Sequence, residues 1–219
     1  MAELITGLRA QDVRANLERI RSEIEAAGRD PGDVEILVAT KYVPREELGA
    51  LAEAGVELLG ENRAQDLVAK AEAYPGRFTW DFIGHLQSRK VRQILPYVRY
   101  VHSVASDSAL AQLERHASAD TEVLVEVNVS GEAGKSGIPP GELPSFLGRA
   151  RVSVVGLMTM PPLADDPEES RPYFAALRGL AEGHGLRHLS MGTTQDYLVA
   201  AQEGATIVRL GATLYEGAS

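Results

Sequence analysis

Short strand-like runs alternate with helical patterns along the whole chain, and this alternation restricts the fold more than any other feature of the sequence. Eight such runs lie at 35–40, 57–60, 79–84, 100–104, 122–129, 152–158, 188–192 and 206–210. Helical patterns follow them at 44–54, 64–73, 88–95, 107–116, 141–150, 168–182 and 195–202. Strands that alternate with helices are joined by right-handed crossovers and form a parallel sheet.

An amphipathic helix precedes the first strand, because Val13, Leu17, Ile20 and Ile24 fall at helical spacing before Gly28. Eight strand–helix units in 219 residues match an α/β fold, a compact (β/α)8 TIM barrel. A doubly wound open sheet is the alternative that fits the same pattern. No linker or change of composition divides the chain, so we expect residues 1–219 to form a single domain.

The charge and the residue types exclude several classes of function. A net charge of −9 makes nucleic acid and anionic lipid poor partners, because their phosphates would repel the chain. The absence of cysteine excludes disulfides and zinc–thiolate sites, and no histidines and carboxylates have the spacing of a metal site. Neither a signal peptide nor a stretch near the ~20 apolar residues that span a bilayer is visible. We expect a cytoplasmic monomer without nucleic-acid or membrane partners.

Two polar residues follow the first two strands, where a barrel places its functional groups. Lys41 comes directly after the run at 35–40, so its amine should point into the barrel mouth, partly desolvated and able to form an imine with an aldehyde. A solvated lysine at a strand end is the alternative. Asn62 could hydrogen-bond a ring hydroxyl, or it could cap the next helix.

Small residues and one cation end the last two strands, where barrels frequently bind phosphate. Ser190, Gly192, Thr194 and Gly211 are small enough to let the backbone approach an anion, and Arg209 is the cation beside them. The glycines could instead serve only tight turns. Two such segments in the two expected places favour a phosphate site.

An amine at the first strand and a phosphate site at the last two would together hold an aldehyde that carries its own phosphate. Pyridoxal 5′-phosphate (PLP) is such a molecule, and a phosphorylated sugar bound by a Schiff-base aldolase would also fit. An aldolase needs an acid–base group, for which Glu61 and Glu126 are candidates, although both could equally be structural ion-pair partners. His85 and His102 are better interpreted as hydrogen-bonded wall residues than as catalysts.

Eight segments occur in a specific order: LVATK (37–41), GEN (60–62), FIGHLQSRK (82–90), VNV (127–129), GKSG (134–137), VGLM (155–158), LSMG (189–192) and VRLG (208–211). This set covers most of the chain and resembles the pyridoxal phosphate homeostasis family. That family shares the barrel of the N-terminal domain of bacterial alanine racemase, which is fold type III among PLP proteins.

The resemblance implies that Lys41 holds PLP as a Schiff base, that Asn62 lies near the ring and that Arg209 faces the pyridine nitrogen. It implies that five residues hold the phosphate: Ser190, Gly192, Thr194, Gly211 and Ala212. The family usually carries Met-Ser at positions 193–194, where this chain has two threonines, and a hydroxyl at 212, so Ala212 would contribute only its backbone.

The function that the resemblance implies is PLP storage or delivery, with PLP-dependent apoenzymes as possible recipients and without catalytic turnover. Racemases of this fold use a tyrosine from an added β domain, and this sequence ends at Ser219, just after the eighth strand. A weak racemase, with Tyr42 or His85 as proton partner, is the alternative. Lys135, in a glycine-flanked loop, could bind a second PLP or could simply be solvated.

Overall fold

Eight parallel strands close into a barrel in a computed structural model that describes residues 4–217. The strands are β1 Glu35–Ala39, β2 Leu58–Glu61, β3 Thr79–Phe82, β4 Tyr100–Val104, β5 Glu122–Glu126, β6 Ser153–Met158, β7 His188–Ser190 and β8 Ile207–Leu210. Each strand pairs with the next in chain order, and β1 pairs with β8 to close the ring. The predicted (β/α)8 barrel is confirmed, and the open sheet was the wrong alternative.

Helices surround the barrel and connect its strands. They are α1 Ala10–Ala26, α2 Leu48–Glu53, α3 Ala64–Ala73, α4 Val91–Ile94, α5 Asp107–His116, α6 Leu143–Arg149, α7 Arg171–Gly183, α8 Tyr197–Gln202 and α9 Ala212–Tyr215. Single 3₁₀ turns lie at Pro31–Asp33, Arg45–Glu47, Ser88–Lys90, Pro140–Glu142 and Pro167–Ser170. In the described part of the chain, no helix is both long and apolar enough to cross a membrane.

The apolar pattern of the sequence corresponds to two buried layers. The four apolar residues predicted for α1 are all buried, and that helix packs against α2, α8 and α9. The larger layer fills the space between the strands and the helices. A smaller apolar cluster lies inside the barrel and is formed by Leu37, Tyr100, Leu124, Val155 and Ile207. This inner cluster supports the polar residues above it.

The structure differs from the prediction at several element ends. The fifth strand was predicted to reach residue 129 but ends at Glu126, because Asn128 donates its N–H to the Ile138 carbonyl of the returning loop. Gly137 permits this close approach, since it has a φ of +113° and a Cβ there would lie 2.5 Å from the Asn128 nitrogen. The predicted helix at 88–95 begins instead as the turn Ser88–Lys90. Helix α9 was not predicted, because four residues are too few to show a helical period.

Candidate functional site

A cavity of about 590 Å³ opens at the carboxyl ends of the strands, within the size range of small-molecule sites. Its wall is formed by Ile5, Ala39, Lys41, Tyr42, Asn62, Ile83, Gly84, His85, Ser103, Glu126, Ser136, Met158, Met160, Thr193, Thr194, Gln195, Arg209, Gly211, Ala212 and Tyr215. Six of the eight residues selected from the sequence therefore meet at one cavity.

Lys41 lies on the turn that follows β1 and contributes to the cavity wall. Its Nζ lies 4.7 Å from the centre of the Tyr42 ring, a cation–π distance. No carboxylate lies within ion-pair distance of this amine among residues 4–217. We expected a partly desolvated amine, but Lys41 is an exposed residue in the structure. Because no ion pair holds it, the amine is available to a ligand in the cavity.

A buried ion pair fixes Thr40, the residue before Lys41, and Asn62 at the end of the neighbouring strand β2. The Glu61 carboxylate, fully buried, accepts hydrogen bonds from Lys70 Nζ at 2.6 Å and from the Thr40 hydroxyl at 3.0 Å. Lys70 also donates to the Thr40 carbonyl at 2.7 Å, and the second Glu61 oxygen accepts the Asn62 N–H at 2.7 Å. Glu61 is thus a structural partner that holds the residues next to Lys41, and not an acid–base group of the cavity.

Asn62 does not cap the helix that follows it. Helix α3 begins at Ala64 after Arg63, and no side chain caps it. The Asn62 Oδ1 atom is buried and has no hydrogen-bond partner among the described residues. A buried polar atom without a partner is uncommon in folded proteins, and here it belongs to a residue of the cavity wall. Asn62 is therefore placed to bond a ligand.

Arg209 supplies a buried cation to the cavity. Its Nη1 donates to the Ser190 carbonyl at 2.7 Å and to the Ser190 hydroxyl at 2.5 Å, and its Nη2 donates to the Thr159 carbonyl at 2.8 Å. Burial lowers the pKa of Arg209 to about 10, while Glu126 and Asp196 act in the opposite direction. The guanidinium therefore remains charged at neutral pH and its orientation is fixed by these acceptors.

The loop after β7 contributes Thr193, Thr194 and Gln195 to the cavity wall. The Thr193 N–H is used by Asp196, but the N–H groups of Thr194 and Gln195 have no acceptor in the described part of the chain. Gly192 lies outside the cavity wall and allows the chain to turn there, because its φ is +90° and a Cβ on it would lie only 2.5 Å from the Ala200 Cβ. Free N–H groups in such a turn are suited to an anion.

The loop after β8 completes this side of the cavity. Gly211 and Ala212 both contribute to the wall, and Ala212 begins α9, so its N–H has no intrahelical partner. Ser190 differs from them: it is fully buried below the cavity, where its hydroxyl contacts His102 and Arg209. The structure thus separates Ser190 and Gly192 from the six residues that reach the cavity.

Two residues that the structure places in the cavity wall were not selected from the sequence or were named only as alternatives. Glu126 is nearly buried in the wall and accepts a hydrogen bond from the Ser136 hydroxyl at 2.7 Å. Tyr215, on the unpredicted α9, donates its hydroxyl to the Ala39 carbonyl at 3.0 Å. Lys135 lies within 3.0 Å of Glu132 and outside the cavity wall. No three histidine or carboxylate side chains within residues 4–217 are grouped as a metal site.

Comparison with known proteins identifies relatives over almost the whole length of this chain. Residues 8–219 match the family model described as alanine racemase, N-terminal domain. The pyridoxal phosphate homeostasis protein of Aquifex aeolicus is 39% identical over 213 residues, which are 91% of this chain and 93% of that protein. The protein of the same name from Pseudomonas aeruginosa is 36% identical over 216 residues, 94% of each chain.

The solved structures agree with these sequence matches. PipY of Synechococcus elongatus, in a structure with PLP bound, has a TM-score of 0.77 and 28% identity, covering 93% of this chain and 99% of that one. Alanine racemase of Corynebacterium glutamicum, at 17% identity and a TM-score of 0.70, shares the fold over 98% of this chain and 63% of its own. The resemblance seen in the ordered motifs is confirmed: the chain belongs to the alanine racemase N-terminal domain family and, within it, to the pyridoxal phosphate homeostasis proteins.

Proposed function

We propose that this protein binds PLP at the barrel mouth as a Schiff base on Lys41, and that it stores or delivers the cofactor without catalytic turnover. The names of the relatives and the PLP-bound structure of PipY support this proposal. The observation that carries it is the arrangement of the cavity, whose wall combines a fixed cation with an amine and backbone donors that have no partner in the described part of the chain. We also propose that residues 1–219 act as one monomeric domain.

The residues of the cavity fit the chemical groups of PLP. Lys41 would bond the aldehyde carbon, and the unpartnered Asn62 amide would bond the ring substituent beside it. Arg209, which has only donors, would face the ring nitrogen and keep it unprotonated. PLP supplies an electron sink when bound, and an unprotonated ring nitrogen weakens that sink, which suits a carrier.

The phosphate would lie between the loops after β7 and β8. The N–H groups of Thr194 and Ala212, the Thr194 hydroxyl and the backbone of Gly211 are the donors available there. In this arrangement Gly192 shapes the loop without contacting the phosphate, and Ser190 acts through Arg209. These are the roles that we now propose for the two residues outside the cavity wall.

A weak amino-acid racemase is the second candidate function. It is favoured by one observation, that Tyr42 and His85 line the cavity together with Lys41. Racemisation requires a proton donor on each face of the substrate, and a missing donor typically lowers the rate about 10²–10⁴-fold. An aldolase would need an acid–base carboxylate in the cavity. Glu61 is engaged in its ion pair with Lys70, so of the two candidates only Glu126 remains.

The binding proposal is tested by the visible spectrum of the purified protein and by borohydride reduction followed by peptide mass spectrometry. The chain has lysines only at positions 41, 70, 90 and 135, so an adduct is readily assigned. We expect a yellow protein with one adduct, on Lys41. Lys41→Ala should remove the absorbance and leave thermal unfolding unchanged, whereas Lys90→Ala, outside the cavity wall, should alter neither.

An adduct on another lysine in the wild-type protein would contradict the proposal, and unfolding of Lys41→Ala would indicate a structural lysine. Turnover is tested separately, by incubating the PLP-loaded protein with single L-amino acids and separating the enantiomers by chiral chromatography. A carrier leaves each amino acid unchanged. Rapid inversion of any one of them would favour the racemase.

A further inference from the structure

A chain of buried hydrogen bonds crosses the barrel interior beneath the cavity. It runs from Arg209 on β8 to the Ser190 hydroxyl on β7 at 2.5 Å, and from there to His102 Nδ1 on β4 at 2.8 Å. His102 Nε2 lies 3.0 Å from Asp81 Oδ2 on β3, and Arg99 binds both oxygens of Asp81. The chain therefore connects residues of four strands, and it ends at the buried guanidinium of the cavity wall.

Each hydrogen bond in this series has a defined donor and a defined acceptor. Burial alone would raise the pKa of Asp81, but the hydrogen bonds from His102 and Arg99 lower it, so the carboxylate is ionised. Burial lowers the pKa of His102, so the ring is neutral and its single N–H, at Nε2, donates to Asp81. Nδ1 is then an acceptor, and the Ser190 hydroxyl donates a hydrogen bond to it. The Ser190 oxygen in turn presents its lone pairs to Arg209.

This polar layer is unusual for the inside of a barrel, which branched aliphatic residues normally fill. The layer directly below it in this protein is the apolar cluster formed by Leu37 and its neighbours. Asp81, His102 and Ser190 are each almost completely buried, so the layer carries a large desolvation cost. Apolar side chains would fill the same space without this desolvation cost. What the layer provides is a fixed orientation for Arg209.

We propose that Asp81, His102 and Ser190 are positioning residues. The Nη1 and Nη2 atoms of Arg209 are bonded to Ser190, Thr159 and Met160, and the three residues hold the guanidinium so that its remaining N–H, at Nε, meets the ring nitrogen of PLP and keeps that nitrogen unprotonated. This inference rests on the proposed function. Removal of the Ser190 hydroxyl leaves Nη1 with the Ser190 carbonyl alone, while Nη2 keeps the Thr159 carbonyl and Met160 Sδ. The guanidinium then loses one of its acceptors, and its orientation toward the ring is less firmly fixed.

Charged and titratable groups reach His102 from several strands. Asp81 contacts it from β3, Arg99 acts on it through Asp81, and Arg209 approaches from β8. On β4 the Tyr100 ring lies 6.3 Å from the His102 ring, and the His188 ring of β7 lies 5.4 Å from that of Tyr100. The two arginines oppose a proton on His102, so the direction of the chain is stable near neutral pH.

The first test uses the protein without PLP and needs no substitution. Long-range proton–nitrogen NMR spectra of the histidine rings report the tautomer of each neutral imidazole. We expect His102 as the Nε2–H tautomer near neutral pH. An Nδ1–H tautomer or a charged ring would make Nδ1 a donor to Ser190. Either result would overturn the inference.

The second test uses PLP labelled with ¹⁵N in the ring and follows the nitrogen resonance over a pH titration. In the wild-type protein we expect no protonation wherever the protein stays folded. In Ser190→Ala and His102→Phe the nitrogen should take up a proton as the pH falls, and the Kd for PLP should rise about tenfold, ~1.4 kcal/mol. Ser190→Thr retains the hydroxyl and should restore the wild-type titration.

His188→Phe is the matched control, because it removes a histidine from the same strand as Ser190 without breaking the chain. It should titrate as the wild type does. If both Ser190→Ala and His102→Phe bind PLP with an unchanged ring-nitrogen titration, the inference is refuted and the proposed function survives. If the wild-type protein takes up no PLP, the proposed function fails and the inference fails with it.

Discussion

Replacement of Lys70 by methionine removes the counter-charge of a carboxylate buried in the barrel wall. The Lys70 and Glu61 side chains are 7% and 0% exposed, with 2.6 Å between Nζ and Oε2. Loss of one partner of a buried pair typically destabilises a protein by ~3–5 kcal/mol. The Thr40 carbonyl would lose its Lys70 donor as well, so we expect a value in the upper part of that range.

In a domain of this size each kcal/mol lowers Tm by about 2–4 °C. A loss in the upper part of the range, ~4–5 kcal/mol, should therefore lower the Tm of Lys70→Met by roughly 8–20 °C. Thermal and urea unfolding of the protein without PLP measure this directly. Lys90→Met is the control, because within residues 4–217 the Lys90 amine bonds only the nearby Gln93, and its effect should stay within ~0.5 kcal/mol.

The double variant Lys70→Met/Glu61→Gln separates the charge from the packing. A neutral glutamine can still accept from the Asn62 N–H with its oxygen, and its amide nitrogen can donate to the Thr40 hydroxyl, so most of the lost stability should return. A loss below ~1 kcal/mol in Lys70→Met would refute the reasoning, since it is within the range of ordinary surface changes. A double variant no more stable than the single one would also refute it, because the cost would then not come from the uncompensated carboxylate.

Three further predictions concern the loops and the pH dependence. Gly192→Ala should destabilise the protein by ~1–3 kcal/mol and weaken PLP binding, as unfolding and PLP titrations would show. The control Gly185→Ala is also at positive φ but has open space around it, so it should cost ~1 kcal/mol and leave PLP binding unchanged. Thr194→Val should raise the Kd for PLP roughly 2- to 10-fold but not that for pyridoxal, which has no phosphate; an equal effect on both would exclude the hydroxyl as a phosphate ligand. Burial lowers the pKa of His102 in the folded protein. Below the ordinary histidine pKa of about 6.5 the unfolded chain therefore binds more protons than the folded one. The free energy of unfolding should fall as the pH drops from that value toward the lowered pKa of His102. His102→Phe should flatten this slope in urea unfolding measured at a series of pH values, and an unchanged slope would contradict the assignment.

The sequence predicted the architecture because each element carries its own periodic pattern. Helices α3 and α5 begin and end at the predicted residues, and the eight strands appear in the predicted order. The position of Lys41 at the cavity also followed from its place after a strand, since the carboxyl ends of parallel strands in a closed barrel meet at one rim. Segments with weaker patterns, such as α9 and the end of β5, were not predicted correctly.

The sequence by itself therefore determined where the strands end and which residues follow them, since strand ends are local properties of the chain. Only the tertiary structure decided which of them face the cavity and which lie beneath it. Ser190 and His102 are 88 positions apart and come into contact only when the barrel closes, and Lys70 reaches Glu61 only when α3 packs on β2. Burial and charge pairing depend on distances between strands and helices that no local pattern encodes.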